Sequence, residues 1–196
     1  MLLHEKLQGK RLILASQSPR RRELLAGCDL QFEIAEGYEV EEIYPDTLEA
    51  EKVAEYLSCL KADGYPYPLT DNDILITADT VVISRGRILG KPHNRKEAIE
   101  MISELSGHTH SVVTGVSIRT KGQSTSFSAE SKVRFRELSL QEIEYYVDTY
   151  KPFDKAGAYG IQEWIGRTAI ESIEGSFYNV MGLPVAALYK HLNSLV

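Results

Sequence analysis

The sequence predicts an α/β fold, a mixed twisted sheet with flanking helices. Three observations predict it. An apolar run, Leu12 to Ala15, feeds a short loop and then a helix start. A second apolar run, Ile74 to Ala78, leads into a hairpin pattern around Arg85-Gly86. Helix-start signals at Asn94 and Ser139 then alternate with strand patterns, so crossovers and hairpins mix along the chain.

The opening unit, RLILASQSPRRRELLAG from Arg11 to Gly27, organises the rest. Its apolar run suits a strand buried on both faces. Ser18 is a favourable N-cap, Pro19 fits the first helical position and Gly27 is a stop. Arg20, Arg21 and Arg22 crowd the helix start, where the macrodipole disfavours cations. Surface carboxylates or a bound anion must offset them. Free N–H groups, the Ser16 and Ser18 hydroxyls and guanidinium forks together suit phosphate. Walker and dinucleotide glycine spacings are both missing.

Phe32 to Ala35 predicts a second strand, with Glu33 at an otherwise apolar position. A helix is expected from an N-cap at Thr47 to Ala62. Ala50, Ala54 and Leu57 form its apolar stripe, and Lys61 continues it, either as a snorkelling cation or as a functional one. Asp63 to Asp73 reads as a loop. The strand at Ile74 is expected to end at Asp79, a turn residue unless a cation lies beside it. If Ser84 pairs with Arg87, Val82 faces Leu89 and Thr80 faces Lys91, which makes Asp79 and Lys91 neighbours.

Asn94 and Glu97 predict a capped helix running to Leu105, and Ser139 and Glu142 another running to Tyr150. Residues 111–119 and 124–136 read as paired strands, with Lys132, Arg134 and Arg136 on a solvent face. His108 and His110 are expected in a loop. Gly157 and Gly160 imply close approach of the backbone to a ligand or to neighbouring chain. A last strand is expected over Thr168 to Phe177, and Pro184 at the first position of a closing helix.

Composition narrows the function classes. The 196 residues carry a net charge of −6, which argues against binding duplex nucleic acid, and the scattered tyrosines do not make a single-strand groove. A 43% hydrophobic fraction without a spanning apolar segment predicts a soluble cytoplasmic protein with no membrane partner. Cys28 and Cys59 lack zinc or redox spacing and read as core thiols.

Six stretches in order resemble the Maf family of nucleoside triphosphate pyrophosphatases. They are LASQSPRRRELL at Leu14, TADTVV at Thr77, GKP at Gly90, SGHTHSVVTGV at Ser106, PFDKAGAYGIQ at Pro152 and IEGSFYNVMGLP at Ile173. The resemblance implies a single Maf-like domain over residues 1–196. It also implies two lobes around a cleft, as in the inosine triphosphate pyrophosphatase fold.

The implied reaction is hydrolysis of a nucleoside triphosphate to the monophosphate and pyrophosphate, aided by a divalent cation, Mg²⁺ or Mn²⁺. By the same resemblance Asp79 is the proton acceptor. Ser16, Arg20, Glu33, Lys61, Thr80, Lys91 and Gln162 fall on functional positions, and Arg21 adds a further cation for phosphate. Arg20, Thr80 and Gln162 match the branch acting on dTTP and UTP. Gln162 offers both a donor and an acceptor, the complement of a uracil or thymine edge. Modified pyrimidine nucleotides, 7-methyl-GTP and a nucleotide-binding role in septum formation stand as alternatives. The metal ligands are left open, and family members imply a homodimer.

Overall fold

The computed structural model describes residues 1–196. Its helices are α1 (Leu3–Lys6), α2 (Pro19–Ala26), α3 (Ala50–Asp63), α4 (Arg95–Leu105), α5 (Leu140–Tyr150), α6 (Trp164–Thr168), α7 (Phe177–Met181) and α8 (Val185–Leu195). Its strands are β1 (Arg11–Leu14), β2 (Glu33–Ile34), β3 (Asp73–Ser84), β4 (Arg87–Leu89), β5 (Thr109–Arg119), β6 (Ser124–Phe135) and β7 (Ile170–Glu174). They form one seven-stranded sheet of order β2-β1-β3-β5-β6-β7, with β4 also on β3. Because β1 runs parallel to β2 and β3 while β3–β4 and β6–β7 are antiparallel, the sheet is mixed as expected. No helix is long and apolar enough to cross a membrane.

The chain divides into two compact units. The first comprises Met1–Asp79, Thr114–Ala129 and Gly182–Val196. The second comprises Thr80–Val113 and Glu130–Met181.

In the first unit, Leu12, Ile13 and Leu14 of β1 are buried beside Ile74, Leu75 and Ile76 of β3. α3 lies directly against β5. A Cβ at Gly115 would come within 2.2 Å of the Glu55 nitrogen and 2.3 Å of the Ala54 carbonyl, so only glycine admits this approach. The Thr77 hydroxyl ties the other flank, donating to the Ser58 carbonyl at 2.6 Å. These contacts hold the end of α3, and with it Lys61, close to the middle of β3, where Asp79 stands.

The β1–β3 pairing starts at Arg11 and Asp73. Arg11 Nε and Nη2 donate to the two Asp73 oxygens at 2.7 and 3.0 Å, and the Thr70 N–H adds a third bond at 2.8 Å. The Arg11 bond outweighs burial and holds the Asp73 carboxyl down at about 2. A depressed folded pKa contributes stability above the ordinary value of 3.8, and that contribution is lost as pH falls through about 2. Arg11→Met is therefore expected to move the acid-unfolding midpoint to higher pH. Circular dichroism along a pH series would show it, and an unchanged midpoint would refute the assignment.

In the second unit, α4 and α5 pack together. Arg95 bridges them from outside, its Nε donating to Asp148 at 2.7 Å and its Nη2 lying 3.3 Å from Glu144. Tyr146, Phe135, Ile102, Leu105 and Ile165 fill the core.

The hairpin register is as the pattern required: Ser84 with Arg87, Ile83 with Ile88 and Val82 with Leu89. Arg85 and Gly86 have φ of 50° and 75°, the turn geometry that matches strand twist. The ladder stops there, so Thr80 and Lys91 are not a ladder pair. The Gly90 carbonyl accepts instead from the Gly157 N–H at 3.1 Å.

Several boundaries move. β3 does not stop at Asp79: the Ile74 run and the Thr80–Ser84 hairpin arm form one continuous strand, whose apolar residues Val81, Val82 and Ile83 are buried and whose end pairs with β4. α3 starts at Ala50, not near Thr47, because Pro45 to Leu48 closes a turn first, the Leu48 N–H donating to the Pro45 carbonyl at 2.9 Å. His110 is no loop residue: it lies buried in β5, its ring 2.7 Å from the Tyr159 hydroxyl. The last strand is only Ile170–Glu174, with helices taking up 164–168 and 177–181. Pro184 is the N-cap of α8, one position earlier than expected. Lys132 and Arg134 do face solvent on β6.

Candidate active site

Asp79 sits at the last position of β3 within the first unit and is buried. Lys61, near the end of α3, donates from Nζ to Asp79 Oδ1 at 2.6 Å. Glu42 Oε1 lies 3.0 Å from the same ammonium. One lysine thus draws two carboxylates together. Its own side chain is 19% exposed, that of Asp79 11% and that of Glu42 49%. A pair this withdrawn from water is screened far less than a surface ion pair.

Glu42 stands on the irregular segment between β2 and α3. Tyr38, four residues earlier, fixes that segment by donating its hydroxyl to the Lys61 carbonyl at 2.6 Å. Burial pushes the Tyr38 phenol up to about 12, so it remains a donor across the ordinary pH range. No periodic signal marks Glu42 in the sequence. The surviving clue is its spacing from an aromatic residue in a segment otherwise rich in acids.

α2 begins as the sequence indicated, with Ser18 as N-cap and Pro19 in the first turn. The Ser18 side chain makes no cap bond. Its N–H instead donates to the Ser16 hydroxyl at 3.2 Å, so Ser16 shapes the loop. Arg22 folds back onto this loop, its Nη2 donating to Gln17 Oε1 at 3.1 Å.

Arg21 braces the backbone, with Nε donating to the Gly182 carbonyl at 2.8 Å and Nη1 to the Ala78 carbonyl at 2.9 Å. Burial lowers the guanidinium pKa and the neighbouring Asp79 charge raises it. Arg21 therefore supports the strand end that presents Asp79. Arg20, on the same first turn, is half-buried.

Glu33 is not brought to Lys61. It lies exposed on β2, with an oxygen 3.7 Å from Arg11 Nη1.

The remaining expected positions belong to the second unit. Thr80 follows Asp79 directly on β3, and Lys91 is exposed just beyond β4. Gln162 precedes α6, and its Oε1 is buried without a hydrogen-bond partner. An unsatisfied buried acceptor is costly, and a donor supplied by a ligand would relieve it.

Residues 11–195 match the family model described as Maf-like protein. This chain belongs to the Maf family. A dTTP/UTP pyrophosphatase of Phocaeicola vulgatus is 50% identical over 191 residues, 97% of this chain and 99% of its own length. Another so named, from Porphyromonas gingivalis, is 53% identical over 190 residues, 96% of each. A solved HAM1 protein structure from Coxiella burnetii is similar with a TM-score of 0.47 at 14% identity, covering 94% of this chain and 99% of that one.

In this Maf chain the donor set beside Lys61 can be tested against a divalent cation. Mg²⁺ usually takes one or two protein carboxylates and completes its shell with substrate phosphates and water. Asp79 and Glu42, converging on one ammonium, fit that demand. No three His, Cys, Asp or Glu side chains cluster into an all-protein cage.

Proposed function

We propose that this protein hydrolyses dTTP and UTP to the monophosphate and pyrophosphate, with Asp79 as the proton acceptor for the attacking water. The observation that carries the reading is the Asp79–Lys61 pair, an ammonium holding one carboxylate oxygen at 2.6 Å. The second oxygen is left for water, and a general base needs only hydrogen-bond reach of the proton it takes. The relatives' shared name supports the substrate class.

The chemistry follows from these residues. Water attacks the α-phosphorus, its proton passes to Asp79, and the α–β bond breaks to release pyrophosphate. Most of the work is positioning and charge stabilisation. Lys61 and Lys91 supply ammonium groups to phosphate oxygens, while Arg20 and Ser16 stand at the α2 start, where N–H groups favour anions. Asp79 and Glu42 would hold the divalent cation, which when bound neutralises charge on the phosphate oxygens. Arg21 keeps the end of β3 in place.

Base choice rests on Arg20, Thr80 and Gln162. The uracil or thymine N3–H would satisfy the buried Gln162 Oε1, and the Gln162 amide N–H would meet a ring carbonyl. Glu33 serves substrate from β2, while Glu42 occupies the place beside Lys61. We treat residues 1–196 as one functional domain, cytoplasmic, acting on free nucleotides without a membrane or duplex partner, and forming a homodimer.

A panel of dTTP, UTP, CTP, GTP and 7-methyl-GTP with Mg²⁺ tests the reading. Monophosphate plus pyrophosphate is expected from dTTP and UTP, with CTP and 7-methyl-GTP at least tenfold poorer in kcat/KM at roughly the cost of one mismatched hydrogen bond. Preference for 7-methyl-GTP would overturn the base assignment. Binding without turnover of any nucleotide would overturn the enzymatic one.

A further inference from the structure

Building on the proposal that Gln162 reads the base, we infer that Glu163 is a positioning residue for base selection, fixing the Gly160–Gln162 backbone through Tyr146 and Lys155. Glu163, Tyr146 and the Gly160 backbone form a closed ring within the second unit, and Lys155 braces it from Glu163. Lys155 Nζ lies 3.1 Å from Glu163 Oε1 and 2.7 Å from Asp154 Oδ1. The Tyr146 hydroxyl donates to Glu163 Oε2 and accepts from the Gly160 N–H at 3.0 Å. The Glu163 N–H returns to the Gly160 carbonyl, also at 3.0 Å. Gln162 therefore lies between two residues that share one phenol.

The ring is well withdrawn from water, with Lys155 at 9% side-chain exposure, Glu163 at 19% and Tyr146 fully buried. Such groups are tolerated when each satisfies the others. Burial and the Glu163 acceptor push the Tyr146 phenol well above its usual pKa, so its proton stays in place as a donor. Gly160 completes the fit: an added Cβ would lie 3.0 Å from both Lys155 Cε and Glu163 Cδ. Stability alone does not call for this arrangement, since apolar replacements of buried ion pairs are often neutral or better.

What the ring does is hold the stretch on which the open Gln162 Oε1 stands. Uracil presents N3–H to that oxygen, whereas cytosine presents a bare N3 acceptor. A small displacement of the Gln162 backbone therefore loses UTP over CTP discrimination before it loses turnover.

The test compares UTP and CTP kinetics in Glu163→Gln and Tyr146→Phe with the parent protein, each checked for folding by thermal melts. The UTP:CTP ratio of kcat/KM is expected to fall roughly tenfold in both variants, mainly through a higher KM for UTP, with kcat within about twofold. An unchanged ratio, or an equal loss for both nucleotides, would overturn the proposal while a selective parent enzyme leaves the base reading standing. A parent enzyme that turns over neither UTP nor dTTP would overturn both. Should Glu163→Gln fail to fold, Tyr146→Phe decides, since it keeps the ring's volume and removes only the hydroxyl.

Discussion

Asp79→Asn is expected to lower kcat for UTP by roughly two to four orders of magnitude, the usual span for loss of a general base. The substitution preserves shape and hydrogen-bonding reach but not basicity. Lys61 keeps Glu42 as a partner at 3.0 Å, so its ammonium is not stranded. The stability cost should accordingly stay under about 2 kcal/mol, well short of breaking a buried pair outright. Nucleotide binding, measured by calorimetry without added metal, should survive. Loss of turnover with retained binding and a near-native Tm is the expected signature. A kcat within tenfold of the parent would remove Asp79 from the proton-acceptor role.

Gly115→Ala is expected to be the most damaging single methyl group in the first unit. Its Cβ would lie 2.2 Å from the Glu55 nitrogen, against backbone that cannot rotate away as a side chain could. Overpacking of this kind costs about 3 kcal/mol or more, since either β5 or α3 must move. For a chain of this size that corresponds to a fall in Tm of roughly 6–12 °C. Activity should fall as well, because Lys61 rides on α3. Gly122→Ala is the control: no atom lies within 4 Å of its added Cβ, and a change within about 0.5 kcal/mol is expected. Similar melts for the two variants would show that the α3–β5 approach is looser than described.

The parts of this molecule governed by local chemistry were legible in the sequence. Pro19 at the start of α2, the Ser139–Glu142 capping box and the Arg85-Gly86 hairpin register each depend on a few adjacent residues. The place of Lys61 on the apolar stripe of α3 was legible for the same reason, and the structure sets its ammonium on Asp79. What escaped depends on partners far along the chain. β3 runs through Asp79 without a break, and the partner that lets a carboxylate sit there, Lys61, stands eighteen residues earlier. His110 is buried because Tyr159, forty-nine residues later, supplies a hydroxyl and Phe135 an aromatic edge. Glu42 escaped because it lies in irregular chain, where no period reports which way a side chain faces. Short helices such as α6 and α7 escaped because five residues carry too little propensity to outweigh their tertiary setting.

The division of the first unit among three separate stretches has a bearing on biosynthesis. Residues 1–79 hold β1, α3 and most of β3, yet their cover includes residues 114–129 and 182–196. The α1 backbone even bonds α8, the Leu3 N–H donating to the Tyr189 hydroxyl at 3.3 Å. At ribosomal speeds of about 5–20 residues per second, the apolar β1 and β3 segments wait roughly 5–35 s for the last of the chain that closes over them. Pairings this distant in sequence are also slow to form once available, because loop closure must precede any reward from contact. The nascent chain thus presents exposed strand edges for longer than a protein whose units are contiguous, and it is during this interval that a chaperone would be of most use.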